Sequence, residues 1–371
     1  MITVIALVVV ACSLFLGLLS SLRRTVATTG DPMNLVVLRK GSDNDGSSQI
    51  SREAYDAVRY LDGIAVAEDG RRLVSPELVV QPFFRTRSGG RENVLVRGVE
   101  PAAFDVHKDV KIVEGRMFRP RLNEVLVGKG VRGRYVGSEV GEVIGFGRNK
   151  WTVVGVIESE GSSFESEVWV DAQDLANDAR RLNPFSGVRL RVGGEEDLRT
   201  LKARIDGDPR FALEASRESD YYAKQSETAG SLTFLVVAIA ILAGTGAGFG
   251  AANTMYASVQ SRTGEIGTLR ALGFPRAAIL ISFEIESLVL SMAGFVVGAV
   301  LSLALAEALR QLLGGVAFGA STFTTNVVTL SIGPRDLVLC LGLSLAIGLL
   351  GGLGPAWRAA RLRPIEALRK A

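Results

Sequence analysis

Ser258–Leu280, SVQSRTGEIGTLRALGFPRAAIL, is a charged amphipathic segment held between two long apolar runs, and its reading decides the fold. Val259, Ile266 and Leu269 fall on one stripe at spacings of seven and three, the pattern of a helix face. Arg262 and Glu265 stand three apart, where they can pair on the adjoining surface. Gly264 and Gly267 each weaken a helix by about 1 kcal/mol relative to Ala unless something needs the space. Gly273 supplies a left-handed stop and Pro275 prevents continuation. A short helix so firmly ended has no slack toward either neighbour and transmits force well. The alternative is a solvated polar face, which most charged amphipathic helices are.

Outward from this segment the chain is strongly segregated. Mean hydropathy is +0.27 although 22% of its 371 residues are charged. The apolar residues gather in Met1–Leu22, Ser231–Ala257, Ile279–Leu309 and Leu337–Trp357. Each suffices to cross a hydrocarbon core of roughly 30 Å, and the third is long enough to tilt or protrude. The expected fold is an α-helical membrane protein with four transmembrane helices and a large extracytoplasmic α+β domain, residues 23–230, inserted between helices 1 and 2. Val9-Val10-Ala11-Cys12 suggests a lipoprotein processing site, but no Lys or Arg precedes the apolar run and an uncleaved helix is preferred.

Short-loop charge sets the orientation. Arg262, Arg270 and Arg276 mark the segment 258–277 as cytoplasmic. Arg358, Arg361, Arg363, Arg369 and Lys370 mark a cytoplasmic tail at 358–371. Gln311–Pro334 has no Lys or Arg, so the loop 310–336 reads as extracytoplasmic. Arg23 and Arg24 oppose this weakly and are outvoted by the tail. Both termini are therefore expected in the cytoplasm, with residues 23–230 outside.

Within 23–230, β-branched runs at Asn34–Leu38, Leu78–Phe84, Val94–Val99, Glu124–Val127, Lys150–Ile157 and Val188–Val192 read as strands. Ser51–Leu61, Asp171–Leu182 and Glu195–Ile205 read as helices, with Ser51 and Asp171 as caps. Two subdomains are one arrangement this admits. Gly41–Ser48, GSDNDGSS, reads as a flexible loop because it lacks the order of a calcium loop. Cys12 and Cys340 both fall in apolar spans, so no disulfide is expected.

No catalytic constellation emerges. His107 is the only histidine, and within FDVHKDV it reads with Asp105 and Asp109 as a surface turn. Gly128-Lys129 is followed by Gly130 and lacks P-loop spacing, so ATP binding of that type is not expected in these residues. Neither a metal site nor a cofactor is expected, and the scattered basic residues give no case for nucleic acid. Gly244–Gly250, GTGAGFG, places Gly244/Gly248 and Gly246/Gly250 four apart, two flat ridges for helix packing within or between subunits. Glu284 and Glu286 lie inside an apolar run near its cytoplasmic end. Structural hydrogen bonding or reach to the interface is preferred over a proton relay.

These residues resemble the MacB/FtsX-type permease module of ABC transporters. Asn253-Thr254-Met255, Val259, Arg262, Glu265-Ile266-Gly267, Arg270-Ala271-Leu272-Gly273, Ile279 and Glu286 carry the resemblance. So do Gly354-Pro355-Ala356, Ala359-Ala360, Arg361, Pro364 and Glu366-Ala367-Leu368-Arg369 near the end. Glu124-Val125-Leu126-Val127 and Val153-Val154-Gly155-Val156 are similar to the family's periplasmic core. Three features depart: the apolar run opens at Met1 where the family has an amphipathic segment first, so that either the start lies upstream or the anchor is lacking, Gly264 stands where a long polar residue is common, and Glu284 is additional.

The resemblance implies a non-catalytic membrane subunit, a homodimer or paired permease among membrane lipids. It makes the membrane that of a bacterial cell, with the large domain periplasmic or extracellular. ATP and Mg would be bound by a separate ABC ATPase, and a periplasmic adaptor is among the partners it admits. Val259, Arg262, Glu265, Ile266, Gly267, Arg270 and Gly273 would form the ATPase-coupling helix, with Glu265, Ile266 and Gly267 touching the ATPase. The cargo expected is lipophilic or peptide-like. The alternatives are an FtsX-type regulator of a periplasmic partner and, weakest, a membrane-anchored enzyme in the outer domain.

Overall fold

The computed structural model describes residues 1–313, 316–319, 325–328 and 330–362. The tail residues Arg363, Pro364, Glu366, Ala367, Leu368, Arg369 and Lys370 lie outside the described residues. The first half runs α1 Ile2–Ala27, β1 Asn34–Arg39, α2 Arg52–Val58, β2 Val74–Val80, β3 Phe83–Arg85, β4 Arg91–Asn93, β5 Val96–Val99, α3 Ala103–Val106 and β6 Lys111–Gly115. Then come β7 Glu124–Gly128, β8 Val143–Phe146, β9 Asn149–Glu158, β10 Val168–Asp171, α4 Ala172–Ala179, β11 Gly187–Arg191, α5 Glu195–Asp206 and β12 Leu213–Arg217. The last part is α6 Glu218–Ser261, α7 Thr263–Ala271, α8 Arg276–Leu313, β13 Val316–Gly319, β14 Thr325–Val328 and α9 Pro334–Ala360. Two units divide the chain: a helical one of residues 1–22, 229–314 and 329–371, and a sheet-rich one of 23–228 and 315–328.

The sheet-rich unit is built on ten strands in the order β12-β1-β11-β2-β5-β10-β7-β9-β6, with β8 also on β9. Only β5/β10 and β7/β9 are parallel. Near one end, α2 and α5 bury Tyr55, Val58, Leu198, Leu201 and Ile205 against Leu35, Val37, Val188 and Leu190. Near the other, Leu175 of α4 packs with Val125, Val127, Val153, Val168 and Trp151. Ser51 Oγ accepts from Ala54 N–H and Asp171 from the N–H groups of Gln173 and Asp174, so both helices start on a side-chain cap.

Some expectations shift. The run Leu78–Phe84 is two strands, because Pro82 has no N–H to continue the ladder and instead its carbonyl accepts from Val94 N–H at 3.1 Å. Gly41–Ser48 is not a loose loop: Asn44, Asp45 and Ser48 are buried, and Ser48 Oγ accepts from Arg39 N–H. His107 is buried rather than at a surface turn. The helix expected to begin near residue 231 begins at Glu218, because its first turns pack in the core of the sheet-rich unit.

Among the described residues of the helical unit, four helices are long and apolar enough to cross a membrane: Ile2–Thr25, Val237–Ser261, Arg276–Gln311 and Pro334–Ala360. Their closest packing is made by glycines on α8 and α9. A Cβ on Gly294 would meet Ile5 at 2.9 Å and one on Gly298 would meet Val9 at 2.7 Å. Gly351 sits as tightly on Ala251 and Gly352 on Ser287. Ser287 Oγ donates to Gly348 O and Ser344 Oγ to Ser291 O, so the α8–α9 seam adds hydrogen bonds between helices to small-residue contact. Of the expected ridges, Gly244 and Gly250 make ordinary contact with Leu343 and Val4, while Gly246 and Gly248 have open space at Cβ.

Candidate coupling site

The opening segment is not one helix. α6 ends at Ser261, Arg262 takes a non-helical conformation (φ −105°, ψ 17°), and α7 starts at Thr263. Thr263 Oγ1 donates back to Val259 O and Gln260 O across this break. At the far end Phe274 N–H donates to Leu269 O and Gly273 N–H to Arg270 O, a Schellman closure. That closure holds Gly273 at φ +96°, a backbone conformation costly to other residues. Arg270 Nη1 reaches Phe274 O at 2.8 Å and fixes the turn from outside.

Arg262 does not pair with Glu265. Its Nη1 lies 3.0 Å from Glu286 Oε2 on α8, so the break after α6 is strutted to the next helix by two residues that carry the family resemblance. Glu284, two residues earlier, points elsewhere. Both its carboxylate oxygens are buried without a hydrogen-bond partner among the described residues, against Gly352 and Ser287. The expected hydrogen bond from a neighbouring helix is absent there.

Ile266 was expected to touch the ATPase, and the structure corrects this. At 2% exposure it is packed with Met255, Val259, Ile279, Phe283, Ala356 and Ala359. It sits on the inward stripe with Val259, and Gly267 is buried beside it. Glu265 is exposed, and the exposed apolar side chains of this corner are Leu269, Leu272 (72%) and Phe274. Of the stripe Val259, Ile266 and Leu269, the first two are buried and Leu269 is exposed; the ATPase contact of Ile266 was implied by the family resemblance, not by the stripe.

At the root of α6 lies a second cluster that the sequence reading missed. β2 stands between β11 and β5, and the register places Ser75 opposite Arg189 and Val79 opposite Arg97. Since side chains alternate along strands, Glu77 shares a face with both arginines. Arg97 Nη1 donates to Glu77 Oε2 at 2.7 Å, and its Nε and Nη2 grip Glu167 at 2.7 and 2.6 Å. Arg189 grips Asp45 at 2.8 and 2.7 Å and lies 3.3 Å from Glu77. His107 Nε2 donates to Glu77 Oε1 at 2.7 Å, while Nδ1 faces Glu218 Oε1 at 3.7 Å.

All of these groups are buried, and α6 closes over them. Tyr221 Oη donates to Asp45 at 3.0 Å. Glu218 Oε2 accepts from Asp31 N–H at 3.0 Å and Asn34 Nδ2 at 2.9 Å, joining the start of β1. Gly30 is required beside it: φ is +91° and a Cβ would meet Glu218 and Tyr222 at 2.9 Å. Burial alone would raise the Glu77 carboxyl, but Arg189, His107 and Arg97 outweigh it and hold it well below the usual range. Arg189 does the same for Asp45 against its burial. Burial pushes the Tyr221 and Tyr222 hydroxyls up. The sequence signal was one charge inside each of several apolar strand runs, as in Val96-Arg97-Gly98-Val99 and Gly187-Val188-Arg189-Leu190.

Comparison with known proteins places this arrangement. The profile of the MacB-like periplasmic core domain matches residues 1–207, and that of the FtsX-like permease C-terminal region matches 233–364. The chain is 30% identical over 342 residues to the macrolide export ATP-binding/permease protein MacB of Rhodopseudomonas palustris, covering 82% of this chain and 48% of that one. It is 28% identical to the protein of the same name from Bradyrhizobium diazoefficiens, covering 91% and 55%. The chain thus spans about half the length of the curated relatives it matches. Among solved structures it is similar to the periplasmic region of MacB from Actinobacillus actinomycetemcomitans, with TM-score 0.40 and 12% identity over 54% of this chain and 94% of that one. The chain belongs to the MacB/FtsX-type ABC transporter permease family.

Proposed function

We propose that the chain is a permease subunit that couples ATP hydrolysis in a separate ATPase chain to movement or extraction of a lipophilic or peptide-like substrate outside the cytoplasm. The observation that carries this is the construction of α7. It is plugged by Ile266, strutted by Arg262 to Glu286 and closed at Gly273, so that a push on its outer face moves α6 and α8 with it. Glu265, Leu269, Leu272 and Phe274 are the handle on that face, flanked by Arg270. ATP and Mg belong to the ATPase. Two copies of this chain work together, both termini and α7 face the cytoplasm, and residues 23–230 lie outside, where an adaptor protein can engage them.

The test is stimulated ATP turnover with the permease in nanodiscs and its cognate ATPase. Glu265→Arg and Leu272→Asp should each lower stimulation at least about tenfold with membrane insertion intact, the scale of one lost interface anchor. Unchanged stimulation in both, or labelling of a cysteine at 265 only from outside the cell, overturns the proposal. The match of residues 233–364 to the FtsX-like region supports one variant, in which the outer domain regulates a periplasmic partner without transport. That variant keeps ATPase coupling and shows no cargo movement.

A further inference from the structure

The β3–β4 hairpin has two faces of opposite character. Its register pairs Phe83 with Asn93, Phe84 with Glu92 and Arg85 with Arg91. The inner face is anchored. Phe84 is buried against Tyr135 and Phe146, with ring centroids 5.5 and 5.3 Å away. Glu92 is bound by Arg134 at 3.0 Å and accepts from Tyr135 Oη at 2.8 Å. The tip is also fixed, because Gly90 N–H donates to Thr86 Oγ1 and Thr86 N–H to Gly90 O.

The outer face is the two-stranded ribbon with the Tyr135–Val136 turn bridged to the end of β3. Val136 N–H donates to Arg85 O, and Thr86 bridges Tyr135, so Val136, Arg85 and Arg91 lie side by side. Val136 is 54% exposed and Phe83, in the next row, 65%. Like charges directly opposite on paired strands repel. Yet among the described residues neither Arg85 nor Arg91 forms an ion pair. Nearby arginines are all neutralised: Arg87 by Glu139 and Glu142, Arg132 by Glu114 and Glu139, Arg134 by Glu92. β4 carries no strand on its outer edge among the described residues.

We propose that this face docks an extended acidic segment of another extracytoplasmic protein. The segment lies along the free edge of β4, as strand addition allows, and sets one Asp or Glu carboxylate against Arg85 and Arg91 with an apolar neighbour on Phe83. A membrane surface is the other anionic partner such arginines could meet. The interleaved glutamates around the pair leave no broad positive field for one, whereas two facing guanidiniums suit a discrete carboxylate. The outward location of this partner rests on the function proposed above; the binding itself does not.

The probe is a fluorescein-labelled peptide of repeating Glu-Thr-Val-Thr, which sets Glu and Val on the same face of an extended strand, with a control in which Gln replaces each Glu, titrated by anisotropy against the full chain in zwitterionic nanodiscs. No nucleotide or ATPase is present, so failure here leaves the coupling proposal untouched, and failure of coupling leaves this one standing. The Glu–Val peptide should bind and the control should not, with affinity falling as salt rises. Arg85→Gln with Arg91→Gln should weaken binding at least about tenfold, the loss expected for a charge-assisted contact. Arg85→Glu with Arg91→Glu should transfer preference to a Lys–Val peptide. Equal binding of Glu–Val and Gln–Val peptides, unchanged affinity in both variants, or an arginine dependence seen only with phosphatidylglycerol vesicles would overturn the proposal.

Discussion

Replacing Glu77 by Gln changes almost no volume and removes one charge from the middle of the buried network. Glu77 holds Arg97 at 2.7 Å and His107 at 2.7 Å, faces Arg189 at 3.3 Å, and accepts from Ser75 Oγ at 3.1 Å. Breaking a buried ion pair by removing one partner costs about 3–5 kcal/mol. Each arginine keeps a two-point grip on its own carboxylate, Glu167 or Asp45, so the low end applies: about 3 kcal/mol. For a domain of this size that lowers the melting temperature by about 6–12 °C. The assay is thermal unfolding of the full chain in nanodiscs, followed by tryptophan emission, since Trp169 donates to Glu167 inside the network. The pH dependence has a definite sign. A carboxyl depressed in the folded state contributes stability that is present above its unfolded value, about 4, and is lost as pH falls through the folded value. The gap between wild type and variant should therefore persist from pH 8 to about 5 and close only in strong acid. A shift under about 2 °C at neutral pH, or a gap that closes near pH 6, would refute the view that Glu77 is ionised and shared.

Gly30→Ala should destabilise the sheet-rich unit by about 1–3 kcal/mol, through both the positive φ and the missing space beside Glu218, read from the same melts. Gly298→Val would drive a branched side chain into Val9; an excess of about 1–3 kcal/mol over Ala299→Val in detergent unfolding checks it. The Arg262–Glu286 strut is half exposed and worth at most about 1 kcal/mol in stability, so its test is functional. Arg262→Glu and Glu286→Arg should each reduce stimulated ATP turnover, and the double exchange should recover much of it.

The membrane helices were legible because composition alone separates them from the rest of the chain, and Ser51 and Asp171 were legible because caps are local chemistry. Strands β3, β4, β6, β8, β10 and β12 were not, since most are too short to show a period. The buried network escaped for a different reason. Its members come from residues 45, 77, 97, 107, 167, 189 and 218, and no local window brings two of them together except through sheet register. His107 beside Asp105 and Asp109 looked like a turn because its true partners, Glu77 and Glu218, are distant in sequence. At α7 the periodicity grouped Val259 and Ile266, which are buried together, with Leu269, which is exposed because the break at Arg262 resets the helix face; that break needed knowledge of Glu286 on α8.

The two ends of α6 are held by interactions of different kinds, and that difference bears on how motion could pass along it. At Arg262 the hold is an apolar plug and one half-exposed ion pair, both of which tolerate small displacement at a cost of about 1 kcal/mol or less. At Glu218 and Tyr221 the hold is hydrogen bonding into buried ions, where an unpaired charge costs several kcal/mol. An apolar core of the same shape would be as stable or more so, so stability alone does not account for placing ions there. What ions add is intolerance of intermediate positions: the root of α6 is either fully seated on Asp31, Asn34 and Asp45 or leaves charges stranded. On the function proposed above, a push on α7 carries α6 with it, and the root of α6 either stays seated on Asp31, Asn34 and Asp45 or unseats as a whole.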